Sequence, residues 1–128
     1  MQKIAPLSLA ELSWDNVGCL VEAPFPRQSN KVTLCIDTTE EVIDECINNH
    51  TSVIVSYHPP IFSSLKRLQM SDIKQRIVLK AIGSGISIYS PHTSLDACLD
   101  GSLFSLFSFF SFFSSYLFSL FSPTQINK

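Results

Sequence analysis

Apolar and polar positions along the first 90 residues alternate between strand-like runs and segments with helical spacing. Three short apolar runs bounded by turn-forming residues predict buried strands at residues 31–36, 52–57 and 86–89. Between these runs, two segments repeat apolar residues on one helical face, at residues 42–47 and 73–82. Upstream, the pattern predicts one more strand at residues 16–21 and a short helix at residues 8–12.

Polar residues mark where the two longer helices begin and end. Thr38, with Glu41 three residues later, predicts the start of the first helix, and Asn48-Asn49 predicts its end. Ser71-Asp72 predicts the start of the second helix, which should end at Gly83 or Gly85.

The order strand, helix, strand, helix, strand predicts an α/β fold with a mostly parallel sheet and helices on its faces. Ligands of such sheets bind beyond the carboxyl ends of the strands. Asp37, His58 and His92 each follow a predicted strand, so we expect all three on the same rim of the sheet.

His58 lies in the segment SYHPPIF, where Pro59 and Pro60 restrict the backbone that carries the imidazole. A fixed backbone suits a metal ligand or a general base. The alternative is a rigid turn that contains a hydrogen-bonded histidine.

His92 and Asp96 form a second group in the segment SPHTSLDA, four residues apart. If Thr93 caps a short helix, both side chains face the rim, where they could bind a divalent metal or form an orienting pair. Alternatively, Asp96 caps the helix and His92 packs. Taken with His58, the group favours a metal or acid–base site.

The segment SWDNVG contains the only tryptophan, Trp14, and a polar pair that could place groups near the rim. The simpler interpretation is a side-chain turn at Asp15-Asn16 with Trp14 in the core.

His50 follows a polar helix end and is expected at the surface. Cys35 and Cys46 lie in apolar patterns and are expected to be small core residues.

Composition narrows the class of protein. The 128 residues suit one domain, and a net charge of −2 gives no basic surface for direct nucleic-acid binding. The four cysteines include no CxxC pair, and the N-terminus has no secretory apolar core. A reducing, intracellular setting is expected.

Composition changes abruptly near residue 100, so we divide the chain into an α/β part at residues 1–100 and a low-complexity Ser/Phe/Leu tail at residues 101–128. The tail is long enough for a membrane helix and apolar enough to aggregate. We favour a third interpretation, a translated intron, because Phe, Ser, Leu and Pro all have pyrimidine-rich codons. A membrane role is therefore not our expectation, although the tail is hydrophobic.

The motifs SWDNVG, DTTEEV, SYHPPIF and IYSPHTSLDA, in this order, resemble the Ngg-interacting-factor-like family, also called GTP cyclohydrolase I type 2. The resemblance covers residues 7–97 and is strongest to the animal-type branch. It implies a toroidal homo-oligomer with a two-metal site that holds Zn, Fe or Mn. By resemblance, His58 and Asp96 match metal ligands and His92 lines the cavity, while Tyr57 stands where the family usually has a second histidine.

The resemblance also implies a further His and Glu ligand near the C-terminus, and this chain has no such segment after Cys98. We therefore expect weak or no metal occupancy and a catalytically incomplete site. The expected function is an interaction protein that self-associates and contacts transcription regulators, in the cytoplasm or nucleus. The alternative is a metal-dependent hydrolase acting on a nucleotide-like small molecule.

Overall fold

A four-stranded sheet organises the computed structural model, which describes residues 2–98. Its strands are β1 (Gly18–Val21), β2 (Val32–Cys35), β3 (Val53–Ser56) and β4 (Ser87–Ser90). The helices are α1 (Glu40–Asn48), α2 (Ile73–Gly83) and α3 (His92–Asp96), and a 3-10 turn spans Leu7–Leu9. The tail at residues 101–128 lies outside the described residues, and so do the three interpretations of it.

The strand order is β1-β4-β3-β2, with β2, β3 and β4 parallel. The chain therefore has the mostly parallel α/β fold that the order of elements predicts. The strand β1 pairs antiparallel with β4. It is the outermost strand on that side of the sheet and runs opposite to the other three.

Each long helix begins with a side chain that accepts a hydrogen bond from a backbone amide. Thr39 accepts from the Val42 amide at 3.3 Å, so the cap of α1 is Thr39 and the prediction of Thr38 is wrong by one residue. Asp72 accepts from the Gln75 amide at 3.0 Å and caps α2 as predicted. Such caps satisfy amides that have no partner within the helix.

The helices α1 and α2 contact each other, and both contribute to a single apolar core against one face of the sheet. Ile54 of β3 and Ile88 of β4 lie side by side in register and have no exposed surface. Cys46 is buried there, as predicted, and Cys35 is half-buried against the same core. The remaining core residues come mainly from the two helices: Ile43, Ile77, Val78 and Ala81.

Ion pairs also join α1 and α2 where the two helices face solvent. The Arg76 guanidinium donates to both carboxylate oxygens of Glu40 at 2.8 Å, and Lys80 Nζ lies 2.6 Å from Asp44. The hydrogen bond from Arg76 lowers the pKa of Glu40 below its ordinary value. These pairs fix how α1 lies against α2.

One face of the sheet points away from α1 and α2, and we call it the outer face. It consists of Val32, Leu34, Val55 and Tyr89. Side chains alternate along a strand, so these residues point away from the helices when Ile54 and Ile88 point toward them. Leu34, Val55 and Tyr89 lie in one register row. Leu34 is 76% exposed and Val32 is 56% exposed.

No helix within residues 2–98 is both long and apolar enough to cross a membrane.

The buried row of the sheet predicts a large stability effect. We expect Ile54→Ala to lower the free energy of unfolding by about 2–5 kcal/mol, because it removes a fully buried side chain and leaves a cavity. Ile73→Ala is the control, since Ile73 is 58% exposed and should change stability by less than about 0.5 kcal/mol. Urea unfolding measures both, and equal effects would contradict the location of the core.

Candidate functional site

The carboxyl ends of the three parallel strands bring two histidines together. His58 follows β3 and His92 follows β4, and their ring centroids are 5.7 Å apart. The Tyr57 ring lies beside both, at 4.8 Å from His58 and 5.5 Å from His92. The result is a compact aromatic cluster on the rim where sequence analysis places the site.

His58 is held by Asp37, which lies two residues after β2 on the same rim. The His58 Nδ1 atom lies 2.8 Å from an Asp37 carboxylate oxygen. An ionised carboxylate only accepts hydrogen bonds, so Nδ1 is the donor, and in the neutral imidazole the lone pair is then on Nε2. The backbone is fixed as well, since the His58 amide donates to the Ile36 carbonyl and the Ser56 hydroxyl donates to the His58 carbonyl.

A cavity of about 180 Å³ opens beside His58 and is lined by Asp37, Thr38, Lys74 and Ile77. The His58 side chain is 48% exposed, so it can be reached from solvent.

His92 is held in the same manner by Asp15, from the turn before β1. The His92 Nδ1 atom lies 2.8 Å from one Asp15 oxygen, while the Thr93 amide and hydroxyl donate to the other. The Asp15 side chain has no exposed surface, and the His92 side chain is 17% exposed. One buried carboxylate therefore orients the imidazole and fixes the start of α3.

The charge state of Asp15 reflects two opposing effects. Burial raises the pKa of Asp15, but hydrogen bonds from Thr93, His92 and the Asn16 amide together lower it below its ordinary value of 3.8. Asp15 is therefore ionised at neutral pH. These contacts also hold His92 at a φ of +30°, a backbone conformation that non-glycine residues rarely adopt.

Asp96 joins the cluster through Tyr57. The Tyr57 hydroxyl lies 2.7 Å from Asp96 Oδ1 and donates to it, which connects the end of β3 to α3. The expected cap at Thr93 is wrong, because α3 begins at His92 with Pro91 in the capping position and the Thr93 hydroxyl donates to Asp15 instead.

Trp14 lies over the site and not in the core, so that expectation is wrong. Its side chain is 55% exposed, and its ring centroid is 6.2 Å from His92 and 6.3 Å from Phe62. The cause is a contact between segments far apart in sequence: the Asn16 side chain donates to the Ile61 carbonyl at 2.6 Å, which holds this turn against the segment after β3. His50 is exposed, as expected, and precedes β3, at the opposite end of the sheet from His58.

Asp15 contributes more to the site than the sequence pattern indicates. The expected local turn is present, since the Asn16 amide donates to Asp15 at 2.8 Å. The same carboxylate also reaches Thr93, 78 residues away along the chain. Asp15 directly precedes the strand predicted at residues 16–21. The antiparallel pairing of β1 with β4 brings the start of that strand to the rim, and this pairing is not encoded in the local pattern.

The described residues do not supply a complete metal site. Within residues 2–98, no group of three or more His, Cys, Asp or Glu side chains is arranged to hold a metal ion. The Nε2 atoms of His58 and His92 are suited to a metal or to a proton, while Asp96 accepts from Tyr57. The assignment of His58, Asp96 and His92 as metal ligands stays a prediction.

Comparison with known proteins decides the family. A sequence profile of Duf34/NIF3 (NGG1p interacting factor 3) matches residues 1–119. The chain belongs to the NIF3 family. This confirms the resemblance drawn from the four motifs.

Two curated relatives and one solved structure illustrate the similarity to the NIF3 family. The Schizosaccharomyces pombe protein NIF3 homolog is 54% identical over 91 residues, 70% of this chain and 33% of the relative. The Saccharomyces cerevisiae NGG1-interacting factor 3 is 36% identical over 107 residues, 77% of this chain and 37% of the relative. A Bacillus cereus protein related to NIF3 has a TM-score of 0.67 at 34% identity, covering 78% of this chain and 27% of that chain. The chain thus spans about a third of the length of its relatives.

The role of Asp15 is testable through stability. We expect Asp15→Ala to lower the free energy of unfolding by about 1–3 kcal/mol, because it leaves buried donors of His92 and Thr93 without an acceptor. Asp44→Ala is the control, since its pair with Lys80 is on the surface and contributes at most about 1 kcal/mol.

The loss should also depend on pH. The pKa of Asp15 is lowered on folding, so its contribution is fully present above the ordinary value of 3.8 and is lost as pH falls through the folded pKa. Urea unfolding across this range measures it. A difference between Asp15→Ala and the native chain that stays constant down to strongly acidic pH would contradict the assignment.

Proposed function

We propose that this chain is an interaction protein of the NIF3 family that self-associates through its sheet edge and contacts transcription-regulator proteins. The observation that carries the proposal is the edge strand β2, which pairs on one side with β3 and carries the exposed side chains of Val32 and Leu34. Among residues 2–98 no strand pairs with the other side of β2, and an unpaired edge with apolar side chains is a template for association with another chain.

Two further points support this role. The Saccharomyces cerevisiae relative is named an NGG1-interacting factor, which points to partners among transcription-related proteins. The proposed role rests on contacts between protein surfaces, so it does not require a complete metal site. We propose cytoplasmic location with access to the nucleus.

Self-association through β2 is tested by placing a charge on the edge. We expect Val32→Lys to weaken self-association at least about tenfold, or roughly 1.4 kcal/mol, because a charge at a sheet edge opposes strand pairing. Ile73→Lys is the matched control, with a similarly exposed isoleucine on α2. Sedimentation velocity across a concentration series measures both.

Two results would contradict this proposal: a chain that stays monomeric at every concentration, or equal weakening by the two variants. A pull-down with purified NGG1 tests the partner class separately, and absence of binding to the native chain would remove that part of the proposal.

A second candidate function is a metal-dependent hydrolase acting on a nucleotide-like small molecule. The observation that favours it is a pair of exposed aromatic side chains, with Trp14 beside His92 and Phe62 beside Trp14. Exposed aromatic rings stack on nucleobases, and His58 and His92 each present an Nε2 atom for proton transfer or metal binding.

Because Trp14 is the only tryptophan, its fluorescence reports on the site directly. The hydrolase candidate predicts saturable quenching by GTP, and Phe62→Ala should weaken binding by about 1–3 kcal/mol through loss of stacking. Phe25→Ala is the control, since Phe25 is 86% exposed and lies outside this aromatic cluster. Unchanged fluorescence, with or without added Mn²⁺, would count against this candidate.

A further inference from the structure

An apolar groove lies where β1, α2 and the segment after β3 meet. It has a volume of about 320 Å³, and its main lining residues are Leu20, Ile61, Leu65, Leu68, Val78 and Ile82. Val78 belongs to the buried core, and Ile61, Leu65 and Ile82 pack against that core. Leu68 remains 45% exposed. The groove is therefore a surface fixed by the core, with a large apolar side chain that still faces solvent.

Two positive charges lie beside this groove. Lys66 and Arg67 are exposed and stand between Leu65 and Leu68, which both line it. No hydrogen bond or ion pair among residues 2–98 engages either cation. By contrast, Arg76 of α2 is paired with a carboxylate of α1. The whole chain has a net charge of −2, so this positive charge is a local feature that remains available to a partner.

We propose that this groove binds an acidic amphipathic segment of a partner protein, whose apolar side chains enter the groove and whose carboxylates pair with Lys66 and Arg67. An apolar centre with a charged rim is the usual arrangement of a protein interface, and amphipathic helices bind such grooves through apolar residues at helical spacing. Acidic amphipathic segments are typical of transcription activation domains. The groove, which rests on the proposed interaction role, therefore suits the proposed class of partner and is distinct from the edge of β2.

Charge and burial favour a different protein over a second copy of this chain. The acidic helix within residues 2–98 is α1, but its side chains Ile43 and Cys46 are buried in the core and cannot enter the groove of a second copy. Glu22 also lines the groove, on the β1 wall. Because Glu22 repels carboxylates, the acidic side of the bound segment should lie toward Lys66 and Arg67.

The experiment measures binding of a synthetic peptide to the full chain. The probe is a fluorescein-labelled peptide with leucines on one helical face and glutamates on the other, and fluorescence anisotropy measures its affinity. We expect saturable binding. A peptide of the same composition in scrambled order should bind at least about tenfold more weakly, because its leucines no longer share one face.

Two variants with matched controls locate the binding surface. Leu68→Ser should weaken binding of the glutamate peptide at least about tenfold, because a leucine loses its burial against the peptide. Ile73→Ser is its control, since Ile73 is 58% exposed and does not line the groove. Arg67→Glu should weaken binding at least about fivefold at low salt and less at high salt, because salt screens the lost attraction. Lys3→Glu is its control, with the same change of charge at an exposed lysine.

Four results overturn the proposal. Absence of saturable binding means that the groove does not take an acidic segment. Equal or tighter binding of a peptide with lysines in place of glutamates means that charge does not select the partner. Equal weakening by a variant and its control places the binding elsewhere. Loss of self-association in Leu68→Ser, with peptide binding unchanged, assigns the groove to a second copy. Failure of the interaction role is read separately, from self-association that depends on Val32 and from the pull-down with NGG1.

Discussion

Parallel pairing of β2, β3 and β4 is the constraint on which the rest of the molecule depends. Parallel strands end on the same side of the sheet, so the residues that follow them meet even though they are far apart in sequence. Parallel pairing brings Asp37, His58 and His92 to the same rim, where hydrogen bonds then orient the side chains. The buried row of Ile54 and Ile88 holds the strands in register, which ties the geometry of the site to the packing of the core.

The site is organised as two imidazole–carboxylate pairs and one phenol–carboxylate pair. Asp37 holds His58, Asp15 holds His92, and Tyr57 donates to Asp96. In each histidine the Nδ1 atom is bound to a carboxylate of the protein, so Nε2 is the ring nitrogen that remains for a proton or a ligand. The three pairs fix the orientation of both imidazoles and of the Tyr57 phenol at the rim.

Sequence alone predicted the α/β fold and the placement of Asp37, His58 and His92 on one rim of the sheet. Local patterns predict apolar strands and capped helices correctly. Asp72, for example, caps α2 in the structure as the sequence predicts. Thr39 replaced Thr38 because two adjacent threonines offer equivalent oxygens and only the backbone decides between them. Asp15 and Trp14 were misjudged since their contacts depend on how β1 pairs, which hydrophobic periodicity does not encode. Pairing across long sequence separations is where local patterns stop being informative.

The most direct test of this account is the tautomer of each histidine, read from long-range ¹H–¹⁵N spectra at alkaline pH, where free imidazoles are neutral. The account predicts that His58 and His92 carry the proton on Nδ1, held by Asp37 and Asp15. Exposed His50, at the other end of the sheet, provides the internal reference for an unrestrained ring. If His58 and His92 show the same tautomer mixture as His50, the rim does not hold its imidazoles and the account of the site is wrong.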